Sequence, residues 1–191
     1  MVTLDKRTDE YGYVKRDFLN KNSGFKIIQI SRIQNKRLYD AHLDFEKNFM
    51  VDPRKQHPYS YRKYLWHGTT RESCDIISRY GFDRARGGKN ACTFGDGVYF
   101  ATEPSYASRD GYSVMDASGA KYVFKCSVFV GTYAKGEKGM KEPPTQMGVR
   151  YNSTVNNIDN PNQYVAFYDN QAYPQYLIKF ERIYLQIRPR L

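Results

Sequence analysis

Hydrophobic and polar residues alternate along most of the chain in patterns typical of short strands, with a few helical stretches between them. Residues 25–33 alternate partly and are rich in Ile, which predicts a strand. Residues 35–50 carry apolar side chains mostly at helical spacing, which predicts an amphipathic helix ended by Asp52-Pro53. Further strands are predicted at 64–67, 98–101, 121–130, 163–168 and 176–187. Further helices are predicted around 11–21 and at 71–79 and 105–112, and Thr70 is expected to cap the helix at 71–79. Strands dominate, so the predicted fold class is α+β with a mostly antiparallel sheet.

Length and local composition predict one folded domain. A chain of 191 residues fits a single domain with a real core. Residues 1–24 are polar and mixed in charge, so we expect a loosely held N-terminal lead-in before a domain at 25–191. The glycine-rich composition of residues 83–97 predicts a long loop, and long ordered loops in compact domains tend to be functional. Residues 139–160 are loop-rich and polar.

The net charge of +10 favours anionic partners: nucleic acid, acidic protein faces or a phosphorylated small molecule. The basic residues are scattered rather than continuous, so nucleic-acid binding is possible but not required. Three cysteines without paired spacing argue against a disulfide framework and against a zinc site, and predict reduced thiols. With neither a signal-peptide pattern nor an apolar run of about 20 residues, we expect a soluble monomer in the cytoplasm or nucleus, without membrane contact or a metal.

Candidate chemistry lies in two short motifs and two tyrosines. The sequence has no phosphate-loop, HExxH, CxxC or GxSxG motif, so common phosphoryl transfer, zinc hydrolysis and serine hydrolysis have no support. His67-Gly68-Thr69 follows a predicted strand, where a glycine lets the backbone approach a ligand closely. Gly95-x-Gly97-x-Tyr99 is a glycine turn that leads into a strand. Tyr106 and Tyr112 follow, and a pair of tyrosines can sandwich a flat aromatic ligand or simply pack in a core.

The order and spacing of these motifs resemble the catalytic domain of the poly(ADP-ribose) polymerase family, most of all its mono-ADP-ribosyltransferase branch. The resemblance covers about residues 25–182. It implies the ADP-ribosyltransferase fold, with split and mostly antiparallel sheets, and NAD as co-substrate without a metal. The motifs that carry it are Leu65-Trp66-His67-Gly68-Thr69, Gly81-Phe82, Gly88-Lys89-Asn90-Ala91, Gly95-Asp96-Gly97-Val98-Tyr99-Phe100-Ala101, Tyr106, Tyr112 and the run from Asp169 to Phe180.

The resemblance also assigns roles to single residues. It implies that His67 and Thr69 bind the adenosine ribose of NAD and that the Gly68 backbone binds the nicotinamide carboxamide. Tyr99 and Tyr112 would stack on the two faces of the nicotinamide ring, with Tyr106 in the pocket wall. Asn90 would bind NAD from a loop at 83–94 that covers the donor. His67, Tyr99 and residue 163 would form the catalytic set.

Two positions depart from the family pattern. Gln163 stands where the polymerase branch has Glu and the mono-transferring branch usually has an apolar residue. Glutamine keeps a hydrogen bond but lacks the negative charge and the base. Ala107 stands where the family commonly has a Ser that bonds the nicotinamide amide, and Ser108 would replace it only if the helix shifts. We therefore expect transfer of single ADP-ribose units to protein acceptors rather than chain elongation.

Three other functions stay open at this point. The domain can bind NAD or ADP-ribose without chemistry, as Gln163 and Ala107 suggest. It can modify nucleic-acid ends, as the net charge suggests. It can also be a structural β-rich domain, although the coincidence of several motifs then has no explanation.

Overall fold

The main element of the fold is one nine-stranded sheet, in a computed structural model that describes residues 1–49, 61–84 and 92–183. The strands are β1 (Val2–Thr3), β2 (Phe25–Arg32), β3 (Arg62–Thr69), β4 (Val98–Ala101), β5 (Lys121–Phe129), β6 (Tyr133–Lys135), β7 (Thr145–Gln146), β8 (Val149–Arg150), β9 (Ser153–Val155), β10 (Gln163–Ala166) and β11 (Ala172–Arg182). The helices are α1 (Asp9–Leu19), α2 (Lys36–Phe49), α3 (Arg71–Tyr80) and α4 (Pro104–Ala107). In the sheet the strands follow the order β1-β2-β11-β5-β3-β4-β10-β9-β6, and β7 and β8 form a separate hairpin.

The sheet is antiparallel at every pair except β6 with β9, and it nearly divides between β3 and β4. Strand β3 pairs with β5 along its whole length, but it pairs with β4 only at Trp66 and Ala101. The two halves diverge beyond that pair, because no ladder of backbone hydrogen bonds holds them together. The predicted α+β class with a split, mostly antiparallel sheet is confirmed.

Successive residues of β3 are buried on opposite faces of the sheet, as strand geometry requires. Leu65 belongs to one hydrophobic core with Phe100. Trp66 belongs to a second core with Val14 and Phe18 of α1. Both faces of the central strands are therefore covered. This explains why every residue of β5 is buried, although its sequence alternates in a way that suits a half-exposed strand.

The N-terminal residues are packed, contrary to the loosely held lead-in that we expected. Strand β1 adds to the sheet edge beside β2. The Thr8 side chain caps α1 by accepting a hydrogen bond from the Tyr11 amide. The buried face of α1 consists of Tyr11, Val14 and Phe18. The polar composition of this segment gave no sign that α1 packs into the core, because only three of its residues are buried.

Most other elements lie where the sequence predicts them, with differences at their ends. Helix α3 is capped by the Thr70 hydroxyl, as predicted. Helix α4 ends at Ala107 rather than 112, since the chain turns there to pack against β3. Strands occur at β7, β8 and β9, where we expected loop; Met147 and Gly148 both have positive φ, which suits a two-residue hairpin turn. No described helix combines the length and apolarity needed to span a bilayer.

Gln171 connects three parts of the fold through its side-chain amide and is fully buried. Its Oε1 accepts hydrogen bonds from the amides of Phe167 and Tyr168, and its Nε2 donates to the carbonyls of Phe129 and Asn152. All four bonding positions of the amide are used.

Replacing this residue by an apolar one of similar size tests how far the amide stabilises the fold. Gln171→Met leaves buried backbone groups without partners, so the free energy of unfolding should fall by about 3 kcal/mol. Urea unfolding followed by circular dichroism measures it. Gln175→Met, at a partly exposed position of β11, is the control and should change stability little. Equal effects of the two substitutions would contradict the prediction.

Candidate active site

A cavity of about 330 Å³ opens where β3 and β4 diverge. Its volume is at the lower end of the range for small-molecule sites in proteins. The end of β3, the glycine turn with β4, α3 and the segment after α4 all contribute to it. The lining residues are 66–70, 73, 76, 77, 81–83, 93, 94, 97–101, 106, 107, 112 and 163.

His67 spans the divergence between the two halves of the sheet. Its Nδ1 donates a hydrogen bond of 2.9 Å to the Tyr99 carbonyl, since a carbonyl can only accept. The ring packs edge-on against Phe82, with centroids 5.1 Å apart. Burial lowers the pKa of His67 below its usual 6.5, although the hydrogen bond to Tyr99 opposes this. The imidazole is therefore neutral at pH 7, and its Nε2 is an acceptor suited to a hydroxyl group.

Gly68 allows β3 to lie directly against the segment that follows α4. A Cβ at this position would stand 2.1 Å from the Ala107 carbonyl oxygen and 2.9 Å from Tyr112 Cβ. The first neighbour is a backbone atom and the second is bonded directly to the backbone. Neither can move away unless the backbone itself moves. Glycine is required here by close approach, and the approach brings Tyr112 to the cavity wall.

Tyr106 and Tyr112 form one aromatic unit in that wall. Their rings stack with centroids 5.2 Å apart and an interplanar angle of 26°, and their hydroxyls are 2.9 Å apart. Burial and the hydrogen bond to Tyr112 raise the pKa of Tyr106 to about 12. Arg109 covers the Tyr106 ring, with its guanidinium carbon 4.2 Å from the ring centroid.

Tyr99 holds the glycine turn that precedes it. Its hydroxyl donates to the Gly95 carbonyl and accepts from the Phe94 amide, each at 2.9 Å. Gly95 has a φ of 129°, and a Cβ there would also lie 2.5 Å from the Phe167 ring. A Cβ at Gly97 would lie 2.3 Å from the Ala166 carbonyl. Both glycines are needed for the turn to lie against β10.

Gln163 begins β10 and lines the same cavity. Its backbone amide donates to Asn156 Oδ1 at 3.0 Å, which fixes the start of the strand. It pairs in register with Ala101 of β4. A residue with a neutral amide side chain therefore lines the cavity at the start of β10.

These features meet in a chain whose similarity to known proteins extends over nearly all of its length. The model of the poly(ADP-ribose) polymerase catalytic domain matches residues 8–182. The chain belongs to the poly(ADP-ribose) polymerase catalytic-domain family.

Several mono-ADP-ribosyltransferases are among the similar proteins. Protein mono-ADP-ribosyltransferase PARP14 of Homo sapiens is 37% identical over 186 residues, which cover 95% of this chain and 10% of that protein. PARP10 of Mus musculus is 30% identical over 190 residues, covering 96% and 20%. A probable poly(ADP-ribose) polymerase of Dictyostelium discoideum is 30% identical over 187 residues, covering 95% and 52%. The chain thus spans from a tenth to about half of the length of these relatives.

The cavity brings together seven of the eight candidate site residues of this family member. They are His67, Gly68, Thr69, Tyr99, Tyr106, Tyr112 and Gln163. The eighth, Asn90, lies outside the described residues, as does the central part of the loop at 83–94. Their roles toward NAD stay predictions.

Ser108 does not stand in for the serine that is missing at 107. Ala107 lines the cavity, whereas Ser108 is buried behind it and its Oγ accepts a hydrogen bond from the Asn22 amide. The shift of the helix that would bring Ser108 to the cavity does not occur: Ser108 is the residue that follows the last turn of α4, and its backbone amide bonds back to the Pro104 carbonyl.

Phe82 and Asp83 also line the cavity, and no individual role was predicted for either from the sequence. Phe82 is buried against His67 and orients its ring, although the Gly81-Phe82 pair was part of the family pattern. Asp83, which follows it, adds a carboxylate to the cavity wall. No local signal distinguishes these roles, since each depends on where α3 ends relative to β3.

The buried histidines should make stability depend on pH. The pKa of His42 is also lowered by burial, which outweighs its hydrogen bond to the Asn170 carbonyl and the charge of Glu46, while the charge of Arg62 lowers it further. The folded state keeps both rings neutral, whereas the unfolded chain binds protons below its ordinary histidine pKa of about 6.5. The free energy of unfolding should therefore fall as the pH drops through that value.

The contribution of His67 is tested by substitution. Between about pH 7.5 and pH 5, His67→Asn should show a shallower loss of stability than the unsubstituted chain, because one such ring is gone. His42→Asn is the matched comparison, and denaturant unfolding at each pH is the measurement. The same slope in all three proteins would refute this assignment.

Proposed function

We propose that this domain is a NAD-dependent ADP-ribosyltransferase that moves single ADP-ribose units to protein acceptors and releases nicotinamide. The observation that carries the proposal is the convergence of His67, Tyr99 and Tyr112 on one cavity. These residues come from separate elements and belong to the motifs that the family shares. Membership of the family supports the reaction class.

The donor would lie along the divergence of β3 and β4. The neutral His67 would accept a hydrogen bond from an adenosine-ribose hydroxyl, beside Thr69. The nicotinamide ring would lie between Tyr99 and Tyr112, while the Gly68 backbone would bond its carboxamide. Gly68 fits this role because its missing side chain already permits close contact with the tyrosine-bearing segment.

The reaction breaks the bond between the nicotinamide nitrogen and the ribose carbon and forms a bond from that carbon to an acceptor nucleophile. Positive charge develops on the ribose carbon, as in glycoside cleavage. The protein's part is positioning and charge stabilisation. Gln163 would bond a hydroxyl of the ribose but would neither stabilise that charge as a carboxylate does nor take the acceptor's proton.

Single transfers follow from that limitation. Extending an ADP-ribose chain requires activation of a sugar hydroxyl, which is a poor nucleophile, whereas a more reactive side chain needs less help. The printed names of the relatives PARP14 and PARP10 describe mono-ADP-ribosyltransferases, which supports the same product here. We place the reaction inside the cell, in the cytoplasm or nucleus, where the buried Cys74 and Cys126 would stay reduced.

Labelled NAD and a protein extract test the proposal. Single additions should appear as discrete labelled bands, with nicotinamide released in equal amount. Gln163→Glu should raise the transfer rate about tenfold, because a charged hydrogen bond is about twice as strong as a neutral one. Gln175→Glu, outside the cavity, is the control.

The outcomes separate the competing functions. Long labelled smears from the unsubstituted chain would contradict single transfer. NAD binding without nicotinamide release would indicate a binding domain. Salt-sensitive labelling of RNA or DNA in place of protein would indicate a nucleic-acid acceptor.

A serine at position 107 should improve binding of the leaving group. Ala107→Ser adds a hydroxyl at the cavity wall that can bond the nicotinamide carboxamide, so nicotinamide should bind about fivefold more tightly, as expected for one added hydrogen bond. Calorimetry with nicotinamide measures this. Ser105→Ala, at an exposed position of α4, is the control. Unchanged or weaker binding by Ala107→Ser would show that the carboxamide lies elsewhere.

A further inference from the structure

The segment from Tyr106 to Tyr112, here called the tyrosine turn, is attached on its far side by a buried lysine. Lys121 of β5 is 1% exposed. Its Nζ donates to the Ser108 carbonyl and to the Asp110 carboxylate, the latter at 2.7 Å. The turn thus has Gly68 on its cavity side and a charged donor behind it.

Asn22 attaches the same point of the turn to the N-terminal part of the chain. It is 4% exposed and lies between α1 and β2. Its Nδ2 donates to Ser108 Oγ at 3.2 Å. Both polar groups of Ser108 that reach behind the turn, its carbonyl and its hydroxyl, are therefore held by buried side chains from other elements.

The end of the turn is fixed as well. Ser113 Oγ donates to the Tyr122 carbonyl at 2.8 Å and accepts from the Tyr122 amide at 2.9 Å. Asp110, within the turn, also accepts a hydrogen bond from Arg182 at 2.8 Å. Movement of the turn away from Gly68 would require the bonds of Lys121 and Asn22 to Ser108 to break.

A buried ammonium group is a poor device for stability alone. Burying a charge is costly, and replacing a buried ion pair by apolar groups of similar volume is often neutral or stabilising. Among the described residues, the carboxylate that pairs with Lys121 is that of Asp110, whose side chain is mostly exposed. We therefore look for the role of Lys121 in the segment that its hydrogen bonds hold in place.

We propose that Lys121 and Asn22 are positioning residues that hold the Tyr106–Tyr112 pair against Gly68 and thereby set the affinity for the nicotinamide end of the donor. The inference rests on the proposed function. It gives the N-terminal segment a part in the site, although none of its residues lines the cavity.

Lys125 supplies a matched control on the same strand. It is as buried as Lys121 and also pairs with a partly exposed carboxylate, that of Asp17. Its Nζ further donates to the Tyr13 hydroxyl at 2.9 Å. These partners belong to α1 and not to the tyrosine turn. Lys125→Met therefore removes a buried lysine and its ion pair without releasing Ser108.

The experiment measures the dissociation constants of nicotinamide and of ADP-ribose by calorimetry for the unsubstituted domain, Lys121→Met, Asn22→Ala and Lys125→Met. Thermal unfolding confirms that each variant is folded. Lys121→Met should weaken nicotinamide binding about fivefold to tenfold, as expected when one aromatic contact is lost, and Asn22→Ala should weaken it less. ADP-ribose, which lacks the nicotinamide ring, should bind all four proteins within about twofold. Lys125→Met should leave both constants unchanged.

Three results would overturn the inference. Unchanged nicotinamide binding in Lys121→Met and Asn22→Ala would show that the turn keeps its place without them. Parallel weakening of both ligands, or the same loss in Lys125→Met, would show a general structural effect. An unsubstituted domain that binds neither ligand would overturn the proposed function together with this inference. If Lys121→Met does not fold, Asn22→Ala decides the matter by the same criteria.

Discussion

The separation of β3 from β4 after a single residue pair is the constraint on which the site depends. A continuous ladder between the two strands would use the backbone groups of residues 67–69 and close the space between them. Instead, one hydrogen bond from the His67 ring to the Tyr99 carbonyl spans the opening. The same bond orients the imidazole and leaves its Nε2 as a hydrogen-bond acceptor, so the opening and the orientation of the ring have one structural origin.

Close backbone contact is the second requirement, and it explains where the glycines are. Gly68 lets the tyrosine turn lie against β3, and Gly95 and Gly97 let the turn before β4 lie against β10 and Phe167. The contact at Gly68 places Tyr112 at the cavity wall, and the contacts at Gly95 and Gly97 position the turn that leads to Tyr99. A pocket for a flat ring needs walls of this kind, because stacking depends strongly on distance.

The electrostatics of the cavity limit the chemistry that it can support. The buried imidazole is neutral and Gln163 is uncharged, so recognition by these two groups depends on hydrogen bonds. The carboxylate that lines the cavity, Asp83, lies on the chain next to Phe82 rather than on β10. In the proposed reaction, position 163 would therefore supply no carboxylate to stabilise the developing charge.

The sequence predicts those parts of the fold and of the candidate site that depend on neighbouring residues, and it does not predict those that depend on distant contacts. Periodicity, caps and glycine turns depend on residues a few positions apart, so the sequence determined β2, β3, β4, β5, β10, much of β11, α2, α3 and the motifs at 67–69 and 95–99. Other features depend on contacts between segments far apart in the chain, which local patterns do not encode. Only the tertiary structure decided the packing of α1 into the core, the end of α4 at Ala107, the stacking of Tyr106 on Tyr112, the burial of Lys121 and the place of Ser108 behind the cavity.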